Sequence, residues 1–131
     1  RYDAVRNVWV PLLSTSDPAN HRVVGRTRHL SLFQIMQVTT SASLASIKAF
    51  PNPLRPALGH ASMTFASLPP AAKIKIYTLL GELVQELTAN AAGMASWDGL
   101  NKSGQKAGSG VYFVVAQSGG DTRSVKVAIQ R

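Results

Sequence analysis

Cysteine is absent from this chain of 131 residues. That excludes disulfides, thiolate nucleophiles and cysteine metal sites, but it fixes no cellular compartment. Charge is scarce as well. Charged residues make up 15% of the chain against 45% apolar ones, a low share of charge but enough apolar material for a packed core. Acids are fewest of all, six against fourteen Lys and Arg, which leaves a net charge of +8. The positive residues are dispersed, and no run of five or six forms a basic tail. No apolar run approaches the ~20 residues that a membrane-crossing helix requires.

Dispersed charge without a clustered set of stacking aromatics does not make a nucleic-acid footprint, so nucleic acid is not an expected partner. A solvated basic surface accounts for the same residues. The alternative is a basic surface that binds an acidic glycan or nucleic acid, and it predicts affinity falling steeply with salt. His21 and His60 lie far apart and lack neighbouring carboxylates, so neither a metal site nor an acid–base pair is expected, and no cofactor is implied. The chain opens at Arg1 with no basic segment leading into an apolar one, so no signal peptide is visible in it, and it reads as the tail of a longer, processed precursor.

What is present falls into two parts, separated by the small polar stretch from Thr39 to Ala45, which has no periodicity and suits a linker. Residues 1–38 contain three segments of extended character: Val5–Leu13, His21–Thr27 and His29–Val38. Asp17-Pro18-Ala19-Asn20 between the first two is a turn by its residue chemistry. Three strands cannot close a core, so this part is expected to be the terminal strands of an upstream β-sandwich module.

Residues 46–131 carry the clearer signal. "SMTFASL" sets Met63 and Phe65 on one face, and "KIKIYTLL" alternates Lys73 and Lys75 with Ile74 and Ile76, a period of two with one wet and one dry face. Gly81 interrupts before "ELVQEL" resumes, so this stretch reads as strand–turn–strand despite its helical composition. "GVYFVVAQ" is nearly continuous in apolar residues, as expected of a central strand covered on both sides. "RSVKVAIQR" alternates again, with Val125, Val127 and Ile129 inward. Adding Ile47–Phe50 and a strand near Met94–Trp97 gives about seven short strands with turn residues between them, the pattern of an antiparallel Ig-like β-sandwich.

Two motifs stand out here. "FPNPLRP" from Phe50 to Pro56 forces an extended entry and then a turn, because each proline disfavours helix in the residue before it. It reads as a rigid junction into the domain. "WDGLNKSGQKAGSGVYF" begins with Trp97, placed to seal one end of the core. Asp98, Gly99, Asn101 and Gly104 are turn formers. With Asp98 as the one carboxylate in the loop, turn capping outweighs a calcium site.

In that order, "FPNPLRP", "SMTFASLPPAAKIKIYTLLGELVQEL", "WDGLNKSGQKAGSGVYFVV" and "KVAIQR" resemble the C-terminal sorting domains of type IX secretion cargo. They are equally similar to the immunoglobulin-like domain of flagellar hook-capping proteins. The resemblance covers residues 46–131, and its motif positions are Pro51, Asn52, Pro53, Leu80, Gly81, Trp97, Asp98, Gly99, Gly110, Tyr112 and Lys126. It implies a non-catalytic C-terminal module of a secreted or cell-surface bacterial protein, acting in export sorting, surface attachment or subunit assembly. Its partners would be secretion machinery or envelope components, or sister subunits joined through edge strands. Where the secretion family often has Asp after the tyrosine of its "IYDLLG" stretch, this chain has Thr78, a change expected to remove a turn acceptor.

One enzymatic exception stands beside this reading. "TRHLSLFQIM", residues 27–36, resembles the self-cleavage sites of GAIN and ZU5-type autoproteolytic modules. Cleavage between Leu30 and Ser31 would use the Ser31 hydroxyl as nucleophile on the Leu30 carbonyl, with His29 taking the proton and a strained turn aiding an N-to-O acyl shift. The paired cysteines of the receptor sites are absent, and a plain β-strand is the competing explanation.

Overall fold

A computed structural model describes residues 1–5, 8–9, 12, 14–28, 32–35 and 40–131. The chain divides into two compact units, Arg1–Gln37 and Val38–Arg131.

The first unit holds two short antiparallel hairpins. Strand β1 (Tyr2–Asp3) pairs with β2 (Val8–Trp9), and β3 (Ser14–Asp17) pairs with β4 (Arg22–Gly25). The expected turn between the latter two is a single 3-10 turn, Pro18–Asn20. Proline opens it at no cost because its missing N–H had no partner there anyway. The Asp17 carboxylate caps it, accepting from the Asn20 backbone N–H (3.3 Å) and side-chain amide (2.8 Å). That amide is the main reason the Asp17 carboxyl sits below its ordinary range. One expectation fails: Leu32–Ile35, assigned to a strand over His29–Val38, carry no strand, and Leu32, Phe33 and Ile35 are exposed. Extended composition without a neighbouring strand to pair its backbone groups does not make a ladder.

The second unit is an antiparallel sandwich of two sheets. The smaller contains β5 (Lys48–Phe50), β6 (Met63–Ala66) and β9 (Ala95–Trp97) in the order β5-β6-β9. The larger contains β7 (Lys73–Thr78), β8 (Leu83–Thr88), β10 (Gly110–Ser118) and β11 (Asp121–Ile129) in the order β11-β10-β7-β8. These are the seven strands expected from the alternating patterns. Alternate residues face inward from each sheet: Met63, Phe65 and Trp97 from one, Ile74, Ile76, Tyr112, Val114, Ala116, Val127 and Ile129 from the other. Register locks these together, with Ile74 opposite Ala116, Ile76 opposite Val114, and Tyr112 opposite Val127. A slip of one residue in any strand would turn its apolar set to solvent.

Three details differ from the sequence expectation. Strand β10 is covered on one side only, because Val111 is exposed and Phe113 and Val115 are half-buried on the outer face. No second layer of structure lies over that face among the described residues of this unit, so an apolar run here does not mean double burial. The described residues of the stretch taken as a linker, 40–45, belong to the body: Leu44 is 1% exposed in the core, and Ser41 N–H donates to the Leu68 carbonyl. One large apolar side chain in an otherwise small polar segment was enough to dock it. Finally, the change to Thr78 does not empty the β7–β8 turn of its acceptor. The Thr78 hydroxyl accepts from Glu82 N–H (3.2 Å), beside the paired backbone bond from Thr78 N–H to the Glu82 carbonyl (2.9 Å).

Candidate functional surface

The motif positions sort into those the fold needs and those it does not. Asn52 belongs to the first group. Its side-chain amide runs along the free edge of β11 as a peptide group would, donating to the Lys126 carbonyl (3.2 Å) and accepting from Ala128 N–H (3.0 Å). Leu54 continues the mimicry through its backbone, donating to the Ala128 carbonyl and accepting from Gln130 N–H, both at 2.8 Å, while its side chain is fully buried. Pro51 and Pro53 flank Asn52, each after a cis peptide bond. The motif therefore does more than join segments: it covers the end of an edge strand that would otherwise present unpaired backbone groups.

Trp97 and Tyr112 close one end of the core together, edge to face with ring centroids 5.4 Å apart. Both polar tips are satisfied locally, the indole N–H by the Leu100 carbonyl (2.8 Å) and the phenol by the Gly108 carbonyl (2.7 Å). Burial pushes the Tyr112 phenol up from its ordinary pKa, and the Arg131 charge opposes that shift. The Asp98 carboxylate accepts from Leu100 N–H (3.0 Å), and Asn101 accepts from Ser103 and Gln105 N–H groups, both at 2.9 Å. Gly99 has φ +75°, where a side chain would also press on Leu54 and Arg131. Gly110, opening β10, has φ +152°, and Gly81 ends its turn at φ +85°. Each of these residues has a structural task.

Leu80 and Lys126 do not. Leu80 is 90% exposed at the tip of the β7–β8 turn, beside exposed Leu79. Lys126 lies on the outer face of β11 with its ammonium 5.7 Å from the centre of the Phe113 ring, within range of a cation–π contact. One row across that face runs Leu83, Tyr77, Phe113, Lys126, each opposite the next. A register shift between Ile76 and Tyr77 sets Leu83 opposite Tyr77, while Val84 remains buried. The next row runs Glu86, Lys75, Val115, Ser124. Glu86 meets Lys102 at 3.1 Å and Lys75 at 3.9 Å, and the Lys102 contact is the chief reason its carboxyl lies below the ordinary range. The Lys102 backbone N–H also donates to the Val84 carbonyl, closing part of the β8 edge. The result is an outer face with an aromatic centre, exposed leucines at one end and lysines along it. Sequence patterning marked Leu80 and Lys126 only as parts of motifs. Leu79, Leu83, Tyr77 and Phe113 escaped notice because alternation alone does not say which face of a sheet stays open.

His29, Leu30 and Ser31 lie outside the described residues. No helix among the described residues is long and apolar enough to cross a membrane.

The fold thus defines the second unit as an antiparallel β-sandwich. No family model matches the chain, and no curated protein does. Solved structures do. PorZ, an essential bacterial surface component of the type IX secretion system of Porphyromonas gingivalis, aligns over 70% of this chain and 12% of its own, with 24% identity and a TM-score of 0.60. Latent PorU from the same organism aligns over 63% and 9% with 27% identity and a TM-score of 0.46, and a protease aligns over 81% and 21% with 20% identity and a TM-score of 0.42. The chain therefore spans about an eighth of PorZ, and this likeness is one of fold.

Proposed function

We propose that the sandwich is a non-catalytic, immunoglobulin-like recognition module of a secreted or cell-surface bacterial protein, acting in export sorting, surface attachment or subunit assembly. The observation that carries this reading is the division of the motif positions. Residues with a folding task are internally satisfied, whereas Leu80 is exposed at the tip of the β7–β8 turn and Lys126 lies on the outer face of the larger sheet, and neither side chain is part of the core. Exposed apolar groups on a surface that also carries charge are the composition of a contact surface. The Tyr112 hydroxyl bonded to a carbonyl four residues upstream matches the tyrosine corner of immunoglobulin-type sandwiches. The motif resemblance to type IX sorting domains, together with a fold shared with a surface component of that system, favours the export reading.

The test expresses the protein in its own host in three forms: intact, lacking residues 46–131, and carrying Leu80→Asp with Lys126→Glu. Both altered forms are expected to accumulate inside the cell or to be lost from the surface. The double variant should keep the unfolding midpoint of the parent, since neither side chain supports the core. Normal export and surface retention of the truncated protein would sink the reading.

A further inference from the structure

Strand β10 is apolar on both of its sides, and only one of them is covered. Tyr112, Val114 and Ala116 are buried in the core, while the alternate residues Val111, Phe113 and Val115 form a rib on the outer face, the first exposed and the other two half-buried. Such a composition belongs otherwise to strands with a layer on each face. Polar and charged residues flank the rib. On β7, Tyr77 stands opposite Phe113, Lys75 opposite Val115 and Lys73 opposite Gln117; on β11, Lys126 stands opposite Phe113 and Ser124 opposite Val115. Charge on this face is almost all of one sign. Glu86 is the one acid at an outward strand position among the described residues, and it already meets Lys102 at 3.1 Å and Lys75 at 3.9 Å. Neither Lys73 nor Lys126 forms an ion pair among the described residues. Neighbouring strands lie about 4.8 Å apart, so the lysines of β7 and β11 stand in two lines about 10 Å apart with the rib between them. That separation is about the diameter of an α-helix with its side chains.

We propose that this face docks an amphipathic α-helix of a partner chain, laid along β10 with an apolar stripe on Val111, Phe113 and Val115 and acidic residues on both flanks. The proposal rests on the reading of the outer face as a recognition surface and names what that surface takes. A helix is the ordinary second layer on an open sheet face. Its acids would meet Lys73 and Lys75 on one side and Lys126 on the other, so charge sets both the choice of partner and its alignment. From Val111 to Val115 the rib spans about 13 Å, the length of roughly nine helical residues. A second copy of the chain fits less well, because it would set lysines against lysines. A bilayer fits less well too: Tyr77, Phe113 and Val115 are half-buried in the sheet and offer little to insert, whereas the side chains of a helix can pack onto them.

The test uses the full chain labelled with ¹⁵N and two synthetic peptides of about 18 residues, long enough to be helical. Both carry the same leucine stripe on an alanine background; one has Glu beside the stripe on each side, the other Lys. The Glu peptide should bind saturably with a Kd on the order of 100 μM or tighter and shift the Phe113 and Val115 amides. The Lys peptide should bind at least about tenfold more weakly. Lys75→Glu combined with Lys126→Glu should reverse that preference, a result a misfolded variant cannot give. Val115→Asp should abolish binding while its spectrum stays dispersed. Absence of saturable shifts with the Glu peptide overturns the proposal, as does equal binding of the two peptides or an unreversed preference in the double variant. Sedimentation showing a dimer that Val115→Asp dissociates overturns it in favour of a second copy. Vesicles of phosphatidylglycerol perturbing the same amides more strongly than the Glu peptide overturn it in favour of a lipid surface. Failure here, with export still lost in the Leu80→Asp, Lys126→Glu form, leaves the recognition reading standing with another partner. Helix binding together with normal export of the truncated protein supports the docking face and sinks the export reading alone.

Discussion

Replacing Asn52 by Ala isolates the unusual step in this fold, a side chain that completes a strand edge. The substitution removes two neutral hydrogen bonds, one to the Lys126 carbonyl and one from Ala128 N–H. Each such bond contributes about 0.5–1.5 kcal/mol net, but Asn52 is exposed and water can replace it at both groups. The expected loss is therefore about 1–2 kcal/mol, which corresponds to roughly 4–8 °C in Tm per kcal/mol for a unit of this size. Asn52→Asp sharpens the test. It keeps an acceptor for Ala128 N–H but sets a carboxylate against the Lys126 carbonyl, so it should be no more stable than Asn52→Ala. Urea titration should show a lowered midpoint at unchanged slope, because the surface exposed on unfolding is the same. Amide exchange should show faster exchange at Ala128 and little change on β7. An unchanged midpoint together with native protection at Ala128 would refute the idea that the Asn52 amide acts as part of the sheet.

Two further outcomes follow from the core end and the turns. Tyr112→Phe should lose about 1 kcal/mol by removing the hydroxyl bond to the Gly108 carbonyl. Because the folded phenol has its pKa raised, its stabilising contribution is complete below the ordinary tyrosine value and is lost as pH rises through the higher folded value. Thermal scans from neutral to strongly alkaline pH should show that limb in the parent and a flatter one in the variant; identical limbs would contradict it. Gly104 and Gly93 give a paired comparison, since both have left-handed backbone, at φ +76° and +70°. Gly104→Ala meets open space and should cost about 1–2 kcal/mol for the backbone alone, whereas Gly93→Ala also drives its Cβ into the Leu68 carbonyl and should cost clearly more. Equal losses in urea titration would show that the Leu68–Gly93 approach is not tight.

Much of this protein was legible in its sequence because the information is local. Alternation at Ile74 and Ile76, at Met63 and Phe65, and at Val127 and Ile129 identified strands and their buried faces, since a strand's side chains must alternate. Gly81, and the Asp98–Gly104 run, marked turns because backbone conformation and short polar side chains act within a few residues. Tertiary structure alone decided whatever depends on residues distant in the chain. It placed Asn52 against Lys126 and Ala128, over seventy positions away, and it drew Leu44 out of an apparent linker into the core. It left the outer face of β10 open, where the apolar run Val111–Val115 had suggested cover on both sides. Periodicity states which side chains share a face; only the packing of one sheet on another determines which face meets water.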